Sequence, residues 1–159
     1  MALTPAQLVT LRADIDADPV FSVLPNNDDT SFAIAEAYNQ TASPDWIVWR
    51  TNLSREELFD ATVLTELISR SQGERDTYRT MLDQGVVSAA KASIRQAFAD
   101  IFSGPAGATT RAQLTAVAKR TATRAEKLFS TGTGSDAAPA TMSFEGSLSY
   151  HDVAQARAN

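Results

Sequence analysis

Ser130-Thr131-Gly132-Thr133-Gly134-Ser135-Asp136-Ala137-Ala138-Pro139-Ala140-Thr141-Met142-Ser143-Phe144-Glu145-Gly146-Ser147-Leu148-Ser149-Tyr150 is where the helical pattern of this chain stops. Gly132, Gly134 and Pro139 exclude a continuing helix. Met142, Phe144, Leu148 and Tyr150 are nevertheless interleaved with small polar residues, so the segment carries apolar anchors. A flexible arm of that composition docks on something, either the chain's own body or a neighbouring subunit. Alternation puts Met142 and Phe144 on one face of a stretch able to add to an exposed strand edge. Reading outward from this point divides the chain into a helical bundle domain, residues 1–130, and an extended C-terminal docking arm, residues 131–159.

Upstream, helix signals recur. Thr4 reads as an N-cap, Pro5 as the first helical residue and Gln7 as the partner in a capping box, with Leu8, Leu11 and Ile15 on one side. Pro19 ends this helix. A second follows Asp29 or Thr30, offering Phe32, Ile34, Ala35 and Tyr38 for packing. Ser43-Pro44 breaks the chain, and Trp46-Ile47-Val48-Trp49 reads equally as a helical turn or an extended bridge. Ser54 with Glu57, and Ser71 with Glu74, are further capping boxes; between them Val63–Ser69 is a short helix with Leu64, Leu67 and Ile68 inward. The Ser71 helix runs to Gln84, buries Tyr78, Met81 and Leu82, and closes at Gly85. One helix is expected over 88–102 and a last long one over 110–130. In the latter Leu114, Val117, Ala118, Thr121, Ala125, Leu128 and Phe129 form an apolar stripe opposite Arg120, Arg124 and Lys127. Ser149 or Asp152 caps a short terminal helix. The expected fold is therefore all-α, a bundle of five to seven helices whose arm contributes at most a short strand.

Composition narrows the function classes. The chain has 159 residues, one His, no Cys and a formal net charge of −5. Absence of Cys removes disulfides, thiolate catalysis and Cys-ligated zinc. His151 lies near the C-terminus, where a cap or surface role is expected rather than a triad. Asp14, Asp16 and Asp18 alternate like a calcium loop but lack its Gly and distal Glu. The Gly104–Thr110 loop precedes a helix but has no P-loop Lys. No catalytic, cofactor-binding or metal-ligating residue is assigned, no cofactor is expected, and the chain is not read as an enzyme. Met1-Ala2-Leu3-Thr4-Pro5 has no basic region or apolar run, so no signal peptide is expected. The longest strongly apolar run, about four residues from Trp46 to Trp49, is far short of the roughly 20 that span a bilayer, so no membrane is expected.

Charge is unevenly spread. Asp14, Asp16, Asp18, Asp28, Asp29, Glu36, Asp45, Glu56, Glu57 and Asp60 face only Arg12, Arg50 and Arg55 in the first 60 residues. Arg111, Lys119, Arg120, Arg124 and Lys127 then dominate residues 110–130. Such asymmetry either leaves two solvated faces or aligns neighbouring copies. Arg120, Arg124 and Lys127 are candidates for inter-subunit charge contacts or for facing phosphate in a DNA channel. No helix-turn-helix spacing supports base reading.

Several segments resemble small proteins of tailed bacteriophages and prophages: Leu3-Thr4-Pro5-Ala6-Gln7-Leu8, Leu24-Pro25-Asn26, Ala42-Ser43-Pro44 with Val48-Trp49-Arg50, Gly73-Glu74-Arg75-Asp76, Ile94-Arg95-Gln96-Ala97-Phe98, Ala122-Thr123-Arg124-Ala125-Glu126, the Gly132–Asp136 turn and Phe144-Glu145-Gly146. The resemblance runs over nearly the whole chain. Within that group, a small helical protein with a C-terminal arm is similar to head–tail adaptors, also called connector or head-completion proteins. The resemblance implies a ring, usually of twelve copies, beneath the portal, with the arm clasping the portal and a tail or neck protein below. Packaged DNA passes through unread, and the protein, made in the host cytoplasm, resides in the virion at the head–tail junction. Met142, Phe144, Leu148 and Tyr150 are the expected docking residues, and removal of residues 132–159 is expected to leave the bundle folded. A tail-completion or minor tail protein, and a small regulatory DNA-binding protein using Arg120, Arg124 and Lys127, are the alternatives.

Overall fold

Four reciprocal capping boxes fix where helices of this chain begin. The computed structural model, which describes residues 3–158, shows them at Thr4–Gln7, Ser54–Glu57, Ser71–Glu74 and Thr123–Glu126. Each satisfies two main-chain N–H groups that a helix start would otherwise leave without partners. The described residues form nine α-helices and six short strands, with a 3-10 turn at Pro105–Gly107. The fold is mostly helical, but the strands pair, so it is not purely α. The chain divides into two compact units, Met1–Ile47 with Thr121–Asn159, and Val48–Arg120. This division does not follow a boundary at residues 130 and 131.

The first unit contains α1 (Pro5–Ala17), α2 (Asp28–Asn39), α8 (Arg124–Leu128), α9 (Tyr150–Ala158) and the hairpin of β5 (Ser130–Thr131) with β6 (Thr141–Met142). Leu8, Leu11 and Ile15 of α1 are buried with Ile34 and Tyr38 of α2. Phe32, offered by the sequence for packing, is instead exposed. α9 packs on both α1 and α2, placing Val153 and Ala156 in the same core. Its register is set by Ser149, which caps through Asp152, and by Arg157, which donates to the carbonyls of Leu24 and Pro25.

In the second unit, α3 (Arg55–Asp60), α5 (Gln72–Leu82), α6 (Ala92–Ile101) and α7 (Ala108–Val117) enclose a core of Leu58, Tyr78, Phe98, Phe102 and Leu114. β2 (Leu53–Ser54) pairs antiparallel with β3 (Val86–Val87). β1 (Ile47–Trp49) and β4 (Lys119–Thr121) form the remaining pair, where the chain passes from one unit to the other, so the Trp46–Trp49 stretch takes its extended form. No helix among the described residues is long and apolar enough to cross a membrane.

Three sequence expectations change. The single helix over 110–130 is three elements: α7, β4 and α8. Thr123 and Glu126 restart the helix, and the residues between pair as a strand. The helix expected from 88 starts at Ala92. In α4 (Leu64–Ile68), Leu64 and Ile68 are exposed rather than inward. The face turned to the protein carries Glu66, whose carboxylate accepts the N–H groups of Thr109 and Thr110 at the start of α7. Those hydrogen bonds, led by that from Thr110, hold the Glu66 carboxyl below its usual range.

Candidate functional site

The first unit contains a cleft of about 620 Å³ bordered by Asp14, Thr41, Trp46, Arg124, Lys127 and Ser130. Its floor is set by α8. Thr123 caps that helix, and the N–H of Arg124 donates to the carbonyl of Gln40, beside a bridge between Thr41 and Thr123. Arg124 and Lys127, three positions apart, therefore leave the helix on neighbouring sides of one face.

Arg124 is spoken for within the chain. Its Nη2 donates to Asp14 Oδ2 at 3.2 Å and to Asp18 Oδ2 at 3.0 Å. The guanidinium lies 4.3 Å from the ring centre of Tyr38 and 5.2 Å from that of Phe21. Tyr38 is fully buried and its hydroxyl donates to the Asp14 carboxylate. Burial, then that hydrogen bond, drives the phenol far above its ordinary pKa. Burial alone would raise the Asp18 carboxyl; donation from the N–H groups of Val20 and Phe21 and from Arg124 outweighs it and holds the group anionic. One cation between two carboxylates and two rings is a clamp joining α1, α2 and α8.

Also at the cleft, Trp46 Nε1 donates to Ser130 Oγ at 2.8 Å, and Lys127 Nζ lies 5.2 Å from the indole centre. Gly134 packs on the same indole: a Cβ there would come within 2.1 Å of the ring, and its φ is +64°. Only glycine meets both demands.

The sequence-predicted docking residues separate. Phe144 and Leu148, expected to reach another chain, are buried in the core of their own unit, Phe144 edge-on to Phe129 at 5.5 Å. The physical reason is a set of polar anchors that turn the segment inward. Glu126, itself buried, accepts the N–H of Gly146, and the Asn39 amide both accepts from and donates to the Leu148 main chain. Met142 is half-buried in β6, whereas Tyr150 is exposed and stacks on exposed His151. The expected extended arm is thus a wrapped segment that ends in α9. Arg124 and Lys127 share the cleft, and Arg120 belongs to β4 at the end of the second unit. Sequence reasoning missed Glu126 and the clamp. The Thr-x-x-Glu spacing at Thr123 was the available signal for the first; nothing local signals the second.

Among the described residues no group of three or more His, Asp or Glu side chains is placed to hold a metal ion. No protein-family model matches the chain, and neither does any curated protein or solved structure.

Proposed function

We propose that this chain is a structural component of a tailed-phage virion, a head–tail adaptor that assembles as a ring beneath the portal and extends the DNA channel to the tail. The observation that carries the reading is the display of large apolar side chains by both units. Val20, Val23 and Phe32 of the first unit are 62%, 80% and 59% exposed, and Leu64 and Ile68 of the second are 51% and 71% exposed. Leu64 and Ile68 stand one turn apart on α4, an apolar stripe turned to solvent. Side chains of this kind are covered in an assembly. Exposed apolar side chains at different places on one chain also suit a head-to-tail contact, which forms a ring where its rotation closes. The resemblance to small phage proteins along the sequence supports the same setting.

Contacts with the portal then fall to these residues and to Tyr150, since Phe144 and Leu148 already serve the chain's own core. The DNA-binding alternative is disfavoured by the clamp, which neutralises Arg124 with two carboxylates. The test is mass spectrometry of purified virions separated into DNA-filled heads and free tails. The chain on heads at portal stoichiometry is the expected result. Its presence only on tails makes it a tail-completion protein, and its absence from both ends the virion reading.

A further inference from the structure

We propose that a small recess in the second unit, between α6 and α7, receives the carboxylate of an acidic side chain from a polypeptide partner. The recess has a volume of about 100 Å³, and its border includes Trp49, Arg95, Phe98, Arg111 and Thr115. Helical spacing builds it: Arg95 and Phe98 are one turn apart on α6, and Arg111 and Thr115 one turn apart on α7. Two guanidinium groups thus border one cavity whose lining contains no carboxylate.

Both arginines are held by main-chain carbonyls. Arg95 Nη1 donates to Ala89 O at 2.6 Å and Ala90 O at 2.9 Å, and its guanidinium carbon lies 4.5 Å from the Trp49 ring centre. Arg111 Nη1 donates to Phe102 O and, at 3.4 Å, to Gly104 O. A guanidinium carries five N–H donors, so one nitrogen fixed on carbonyls leaves donors for a ligand. Carbonyls also leave the positive charge in place, unlike the carboxylates that meet Arg12, Arg50 and Arg124. Two like charges bordering one recess repel, and an anion between them converts that repulsion into two attractions. Carbonyl-anchored arginines are preorganised for such an anion, because little side-chain freedom is left to lose on binding.

Size and wall chemistry choose the anion. A cavity of this volume holds one oxyanion group and excludes a nucleotide. Trp49, Phe98, Ala99 and Ala118 make much of its wall apolar. The methylene stem of Glu or Asp packs against such a wall while its carboxylate meets the guanidinium donors. A phosphodiester, hydrated and fixed between two sugars, has no stem with which to enter. The assignment rests on the second unit alone and does not require the adaptor reading.

The test is nuclear magnetic resonance of the full isotope-labelled chain with three probes: the blocked peptide acetyl-Ala-Glu-Ala-amide, inorganic phosphate and a short DNA duplex. Saturable shifts of the Trp49 indole N–H and the Arg95 and Arg111 Nε–H signals by the peptide, at millimolar concentration, are expected. Replacing either arginine also removes structural hydrogen bonds, so the informative variant is Thr115→Glu, at an exposed site one turn beyond Arg111. It supplies the carboxylate internally, and is expected to abolish the peptide response with the melting temperature unchanged or higher. The proposal is overturned if the peptide shifts none of these signals, if phosphate or the duplex shifts them at lower concentration, or if folded Thr115→Glu still responds.

Discussion

Arg124 Nη2 and Asp18 Oδ2 meet at 3.0 Å although the two residues are 106 positions apart in the chain. With Asp14 and Tyr38 they tie the first helix to the re-entering chain inside one compact unit. Arg124→Met keeps much of the stem and removes the charge, leaving Asp14 and Asp18 without their shared cation. A hydrogen bond to a charged group is worth about 2 kcal/mol; Arg124 makes two, but both pairs are partly exposed to solvent, so a net loss of about 2 kcal/mol is expected in urea unfolding. Arg124→Lys is expected to recover only part of it, because an ammonium cannot reach both carboxylates while lying flat on Tyr38. Equal stability of the Met variant and the parent would show the clamp to be idle.

Glu57 makes the second unit acid-sensitive. Its carboxylate accepts from Arg50, at 2.7 Å, and from the Ser54 N–H, and these bonds hold its pKa at about 2 against an ordinary 4.5. A carboxyl whose folded pKa is depressed binds fewer protons folded than unfolded. Its contribution is complete above pH 4.5 and is lost as pH falls toward about 2. The urea midpoint should therefore drop across that window in the parent. Glu57→Gln should start lower at neutral pH and show a shallower decline; an identical slope in the two proteins would remove Glu57 as a cause.

Ser31 offers a change in the stabilising direction. It is fully buried in α2, and its hydroxyl is without a hydrogen-bond partner. A buried hydroxyl left unpaired costs more than the bond it could have made in water. Ser31→Ala removes the group, keeps the Cβ and favours the helix. A gain of about 1 kcal/mol is expected, read as a higher melting temperature. A lower one would mean that the hydroxyl is satisfied in solution.

What the sequence made legible follows from how local each signal is. The first helix was readable because Thr4, Pro5 and Gln7 lie within four residues and need no tertiary partner. The helix over 110–130 was overread because Leu114, Ala118, Ala125 and Leu128 stay nearly in helical phase across the break, so periodicity alone saw one element. The Thr123–Glu126 box is the same signal that located α1, α3 and α5, and it marks the restart. α4 misled for a different reason: one helical turn is too short for periodicity to choose a face, and the N–H groups of Thr109 and Thr110 recruited Glu66 inward. The clamp had no sequence signature at all, since Asp14 and Asp18 become ligands of Arg124 only through the fold. The same holds for the recess bordered by Arg95 and Arg111, whose common cavity depends on α6 packing on α7.

The C-terminal segment gives the sharpest test, because composition and structure predict opposite outcomes. Its Gly- and Ser-rich stretch reads as a detachable arm, and on that reading its removal leaves the helical body folded. In the structure Leu148 is 3% exposed, and its main chain exchanges hydrogen bonds of 2.7 and 2.9 Å with the Asn39 amide. Val153 and Ala156 behind it are fully buried against α1 and α2. Leu148→Ala is expected to cost about 3 kcal/mol through lost burial and a residual cavity. Removal of residues 132–159 takes away Phe144, Leu148, Val153 and Ala156 together and should unfold the first unit outright. Trp46 lies in that unit and Trp49 in the other, so a Trp49→Phe background lets indole fluorescence follow the first unit by itself. Full cooperative unfolding of the truncated chain, seen at Trp46, would show that the segment can be spared for a partner. Loss of the transition would show that it is a structural part of the unit.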